Sequence, residues 1–170
     1  NSGRTGMIGL SHTFFFNERT STKLILAASD QRDRTDVDSI TWSGGTGADI
    51  KLIDRDEVFN TLNHQTALIA DLVLRSKING RNTVIAGVLA THYEGSFFRR
   101  YFRQRGSIAA WDTLGDGGGS YALLQAYATW KHHFSETLAG TLGVHGQYHD
   151  LSNARSIEPR ASLSWKPSEK

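Results

Sequence analysis

Side chains able to bind metals, move protons or hold anions are plentiful in this chain: 7 His, 17 Asp and Glu, and 19 Lys and Arg. Their spacing decides what they can do. His145 and His149 share one face of an extended chain, with Gln147 between them. Four residues of strand span about 13 Å, so the two rings cannot chelate one ion together. His132 and His133 are adjacent and point to opposite faces. Cys is absent, which removes disulfides and thiolate metal sites. No metal site and no cofactor is expected. Glu158 and Arg160 are two residues apart and point to one side, where they can pair with each other or with adjacent strands. That geometry serves either a ligand contact or an ion-pair network that stiffens a wall, and the second is the expectation. Asp71 and Arg75 share a polar row and carry the same alternatives.

Catalytic motifs are missing. Gly115-Asp116-Gly117-Gly118-Gly119-Ser120 is glycine-rich, but it lacks the Gly-Lys-Ser/Thr ending of a phosphate loop and precedes strand-like rather than helical sequence. It reads as a flexible surface loop, as does Ser43-Gly44-Gly45-Thr46-Gly47. No Gly-x-Ser-x-Gly elbow occurs, and nothing in the spacing of Ser, His and Asp points to a triad. The chain is not expected to be an enzyme. Phe98-Arg99-Arg100-Tyr101-Phe102-Arg103-Gln104-Arg105 interleaves basic and aromatic residues, as nucleic-acid binders do. A formal net charge of only +2 gives no broad basic surface, so nucleic acid is not expected as a partner.

The elements that must position these residues are strands. Apolar residues alternate with polar or small ones over about seven stretches. They are roughly 6–16, 23–30, 59–78, 83–98, 120–134, 137–150 and 156–166. In the first, Ile8, Leu10, Phe14 and Phe16 oppose Gly9, Ser11 and Thr13, with His12 on the apolar side. In the fifth, Leu124, Ala126, Ala128 and Trp130 oppose Gln125, Tyr127, Thr129 and Lys131. The fourth has two faces too alike to assign. A helix cannot keep one apolar face under strict period two. Only two Pro in 170 residues suits long ladders. With a mean hydropathy of −0.39 and Val84–Ala90 as the longest apolar run, no membrane helix is expected.

Three features separate a soluble β-sandwich from a membrane barrel. Most stretches reach ten residues or more, the length of a transmembrane strand rather than the five or six usual in soluble domains. Connections differ in length: 17–22, 78–82 and 135–136 are short, Leu151–Arg155 is intermediate, and Gln31–Val58 and Arg99–Gly119 read as long loops. Outer-membrane barrels sort short turns to one end and long loops to the other in this way. Aromatics gather at strand ends, with Phe14, Phe16, Trp130, Phe134 and Trp165 near the short turns, and Phe59, Tyr93, Phe97, Phe98, Tyr121 and Tyr148 near the long loops. Two interfacial girdles are the expectation. The fold class is therefore all-β, an antiparallel up-and-down meander of about seven long strands forming part of a transmembrane β-barrel. Its lumen-facing polar candidates are Asp71, Arg75, Gln125, His145, Glu158 and Arg160. Pro159, which cannot donate to a ladder, is expected near the long-loop rim where pairing ends.

The runs Gly6–Phe16, Leu123–Lys131 and Ser156–Trp165, the last with its Glu158-Pro159-Arg160 and Ser162-Leu163-Ser164-Trp165, resemble barrel strands of TonB-dependent outer-membrane receptors. The closest likeness is to the subgroup with an N-terminal carboxypeptidase-regulatory-like domain. The resemblance spans residues 1–170 as a partial barrel, with no plug domain and no signal peptide, against about 22 strands in a complete transporter. It implies active import of a nutrient (an iron chelate, a cobalamin-like molecule or a glycan) across the outer membrane of a Gram-negative bacterium. The implied partners are the receptor's own plug domain, the TonB complex, outer-membrane lipid and lipopolysaccharide, and a small-molecule or glycan ligand. The basic-aromatic run would then meet lipopolysaccharide or an anionic ligand. Two alternatives stay open: a passive porin-like or structural barrel, and a soluble carbohydrate-binding β-sandwich.

Overall fold

Sustained alternation holds the backbone extended. In the computed structural model, whose described residues are 1–44, 52–105 and 108–167, the chain forms seven strands. They are β1 (Ser2–Asn17), β2 (Thr20–Trp42), β3 (Leu52–Lys77), β4 (Asn82–Arg105), β5 (Ile108–His133), β6 (Leu138–His149) and β7 (Ala154–Trp165). They make one open antiparallel sheet in sequence order, β1 to β7, the meander read from the sequence. No helix of the described residues is long and apolar enough to cross a membrane.

Side-chain acceptors close the short turns by binding backbone N–H groups, as Asn and Ser do in tight turns. Asn17 Oδ1 accepts from Arg19 N at 2.8 Å. Asn79 Oδ1 accepts from Arg81 N at 3.0 Å and Asn82 N at 2.9 Å. Ser135 Oγ accepts from Leu138 N at 3.0 Å. The β6–β7 turn places Asn153 at a φ of 53°, a left-handed conformation that Asn tolerates better than most residues.

Register keeps like with like. Across β5, β6 and β7, Trp130 pairs with Leu142 and Leu142 with Ala161, while Ala126 pairs with Gly146 and Gly146 with Ile157. The other face carries Gln125, Gln147 and Ser156 in one row and Tyr127, His145 and Glu158 in the next. β4 resolves as well. A Cβ on Gly87 would come within 2.7 Å of the Tyr127 ring, so Gly87 lies on the polar face and Val88 on the apolar one.

Two compact units share the strands. One comprises Asn1–Gly6, Asp30–Thr66 and Glu94–Ser120; the other comprises Met7–Ser29, Ala67–Tyr93 and Tyr121–Lys170. The first is called the arm unit and the second the banded unit below.

Four expectations need correction. Most of Gln31–Val58 and Arg99–Gly119 is strand, not loop: β2 runs to Trp42, β3 starts at Leu52, β4 runs to Arg105 and β5 starts at Ile108. The apolar alternation fades there, but paired charges replace it. The run 115–120 is likewise part of β5. A Cβ would come 3.0 Å from the Phe97 ring at Gly115 and 3.2 Å at Gly117, and 2.9 Å from the Gly95 carbonyl at Gly118. These glycines admit a ring and a close backbone rather than loosening a loop. The Ser43–Gly47 run lies partly outside the described residues. Pro159 sits mid-strand opposite Val144, not at a rim; β7 is an edge of this sheet, where a missing N–H is tolerated. Finally, Tyr93 and Tyr121 do not join a girdle on the apolar face. They stack on each other at 4.8 Å, and Tyr121 meets His149 at 5.0 Å, all on the polar side of their strands.

Candidate functional site

The polar face of the banded unit gathers four of the six polar candidates on three adjacent strands. Gln125 Nε2 donates to Gln147 Oε1 at 3.5 Å. Glu158 is the centre of a small charged group: Arg160 Nη2 donates to its Oε2 at 2.9 Å, and His145 Nδ1 lies 3.8 Å from the same oxygen. His145 Nδ1 and Ser156 Oγ are buried without a hydrogen-bond partner. Beyond this group, toward the β6–β7 turn, stands the Tyr93–Tyr121–His149 stack. Asp71 and Arg75 lie on β3 and form no ion pair among the described residues. The surface offers an amide pair, a carboxylate held by a guanidinium, and stacked rings, suited to hydrogen bonding and stacking. Among the described residues no three His, Asp or Glu side chains gather as metal ligands.

The apolar face is uncovered. Ile8, Leu68, Leu72, Leu124, Leu142 and Leu163 are all exposed. A trough of about 660 Å³ crosses the face, lined by residues of all seven strands, among them Phe16, Leu72, Val88, Ala126, Val144 and Ile157. All five interface aromatics lie on this face or at its edge: Phe14 packs edge-on against Phe16 at 4.9 Å, and Leu138 opposes Trp165. Trp130 and Phe134 flank His132, at 5.6 and 4.7 Å.

The arm unit is held by ion pairs. Arg34 Nε meets Asp36 at 2.9 Å, Arg103 Nε meets Asp112 at 2.9 Å, and Arg55 pairs with Asp38. The Arg34 guanidinium beside Asp36, helped by the Asn60 amide, holds the Asp36 carboxyl below its usual range. The basic-aromatic run is largely spent inside this unit. Arg100 lies 4.4 Å above the Trp111 ring and 3.9 Å from Glu57, and Arg99 lies 5.8 Å from the Phe97 ring. Arg100 and Arg103 are thereby paired with carboxylates.

Two clusters escaped the sequence reading. The Tyr93–Tyr121–His149 stack needed the facing of β4, which alternation alone left open. The second links Asn82, Trp130 and His132. The i, i+2 spacing of Trp130 and His132 places both on one face, but their shared partner on β4 is a matter of register. Comparison with protein-family models and with curated proteins finds no match for this chain.

Proposed function

We propose that this chain is a wall segment of the barrel of a TonB-dependent active transporter in the outer membrane of a Gram-negative bacterium. The observation that carries the membrane part is one sheet face that is apolar, exposed and continuous over all seven strands, backed by a polar face. From Leu138 to Tyr148 the apolar positions of β6 extend about 34 Å along the strand. At a tilt of about 40° they cover about 26 Å, near the height of a barrel's apolar band. A charged group is tolerable on the lumen side and costly on the lipid side, which matches where Glu158 and Arg160 stand. The transporter part rests on the resemblance of the β1, β5 and β7 sequences. In this reading the arm unit meets a nutrient, while the polar face of the banded unit meets the plug. The chain forms wall and does no catalysis.

Expression in water without detergent tests the membrane part. The expected result is aggregation through the two unpaired edges and the apolar face, relieved by detergent or lipid. A monodisperse, cooperatively melting monomer in water overturns it. A flanking sequence without a plug domain upstream overturns the transporter part.

A further inference from the structure

Three turns lie side by side at one end of the banded unit. Lys77 N donates to Arg19 O, His133 N to Arg81 O, and Lys166 N to Thr137 O, each at 2.8 Å. Around them, among the described residues, the sequence places Arg19, Lys77, Arg81 and Lys166 against Glu18 and Glu136. This rim carries an excess of positive charge. On the apolar face beside it is a pocket of about 380 Å³, bordered by Trp130, His132, Phe134, Gly140, Ala161 and Leu163 among others. A Cβ at position 140 would come 2.9 Å from Phe134 Cε2, so glycine there is what lets the ring close over the pocket.

One side chain joins rim and pocket. Asn82 Nδ2 donates to Asn79 Oδ1 at 2.9 Å, which fixes the orientation of the Asn82 amide. Its Oδ1 then accepts from Trp130 Nε1 at 3.0 Å and from His132 Nδ1 at 2.8 Å. An amide oxygen only accepts, so His132 carries a proton on Nδ1, and its Nε2 is left for a group outside the protein. That Nε2 carries the lone pair and accepts a hydrogen bond from a hydroxyl. An apolar pocket walled by aromatics, a ring nitrogen without a partner among the described residues and a basic rim together fit an amphiphile with an anionic head.

We propose that this pocket holds an acyl chain of an anionic phospholipid, its phosphodiester seated at the basic rim and a headgroup hydroxyl within reach of His132. The proposal rests on the membrane reading and goes beyond it by naming a lipid and its site. The basic excess selects the anionic head, and the aromatic walls suit the headgroup boundary.

The test reconstitutes the full chain in nanodiscs of phosphatidylcholine with a minority of phosphatidylglycerol, extracts it in a non-ionic detergent and counts retained lipids by native mass spectrometry. Phosphatidylglycerol is expected to be retained in preference to phosphatidylcholine. His132→Phe keeps the ring and is expected to lower that retention about tenfold, the loss of one hydrogen bond. Gly140→Leu fills the pocket and is expected to abolish retention of both lipids. Equal retention of the two lipids by the wild type, or unchanged phosphatidylglycerol retention in His132→Phe, overturns the proposal. A chain that inserts but retains no lipid also overturns it while leaving the membrane reading intact. A chain that never inserts defeats both.

Discussion

The banded unit and the arm unit are built from the same strands and stabilised by different chemistry. In the banded unit Leu68, Leu72, Leu124 and Leu142 stand exposed on one face, and small residues such as Ala126, Ala128 and Gly146 lie between them. In the arm unit the alternation persists in the backbone, but charged residues occupy it: positions 30–58 hold eight Asp or Glu against four Lys or Arg. Arg34–Asp36, Arg55–Asp38 and Arg103–Asp112 neutralise much of that charge in pairs. A β-ladder therefore continues without an apolar stripe when neighbouring side chains supply the attraction.

The largest expected effect tests that division directly. Leu72→Arg is expected to destabilise the bilayer-inserted chain by about 2–4 kcal/mol, read by chemical unfolding from lipid vesicles. Val37→Arg, also an exposed apolar position but in the arm unit, is expected to change it by no more than about 0.5 kcal/mol. Equal costs would erase the distinction between the units. Glycine substitutions sharpen it next. Gly118→Ala drives a methyl against the Gly95 backbone carbonyl and is expected to cost about 1–3 kcal/mol, with no single side-chain change to relieve it. Gly87→Ala meets only the far end of Tyr127, so a Tyr127→Ala partner is expected to recover its loss in a double-mutant cycle. Additive losses there would show that the Tyr127 ring is not what constrains Gly87.

Acid is expected to loosen the arms before the band. The Asp36 carboxyl titrates below its ordinary value in the folded chain because Arg34 and Asn60 favour its charged form. Its contribution is therefore complete above the unfolded value of about 3.9 and is lost as pH falls through the lower folded value. Hydrogen exchange of residues 30–42 should rise below about pH 4 while that of 122–132 stays slow. Asp36→Asn should reduce that pH dependence, leaving the part due to Asp30, whose carboxyl His64 also holds low. The smallest effect belongs to Arg103→Ala, whose half-exposed pair with Asp112 is worth at most about 1 kcal/mol and should weaken further with salt.

Much of the banded unit is legible in the chain itself. The strict alternation of 121–131, 138–148 and 156–166 places Gln125, His145, Glu158 and Arg160 on one face and Trp130, Leu142 and Leu163 on the other, as the register then has them. The arms are not legible, because Asp, Gly and Asn are poor strand formers on average and so look like loop. Their strand state depends on partners distant in sequence, such as Arg55 for Asp38 and Asn60 for Asp36. The stack of Tyr93 on Tyr121 is hidden for a related reason: the two faces of 83–98 have nearly the same composition, so only the neighbouring strand breaks the tie.

By itself the sequence determined that the chain is extended, antiparallel and two-faced, because period two is a local property of backbone geometry and side-chain type. Only the tertiary structure decided how far each strand runs, which way β4 faces, and that Asn82 binds both Trp130 and His132. Those outcomes depend on register, and register is set by pairing between residues tens of positions apart, whose energies no local pattern contains.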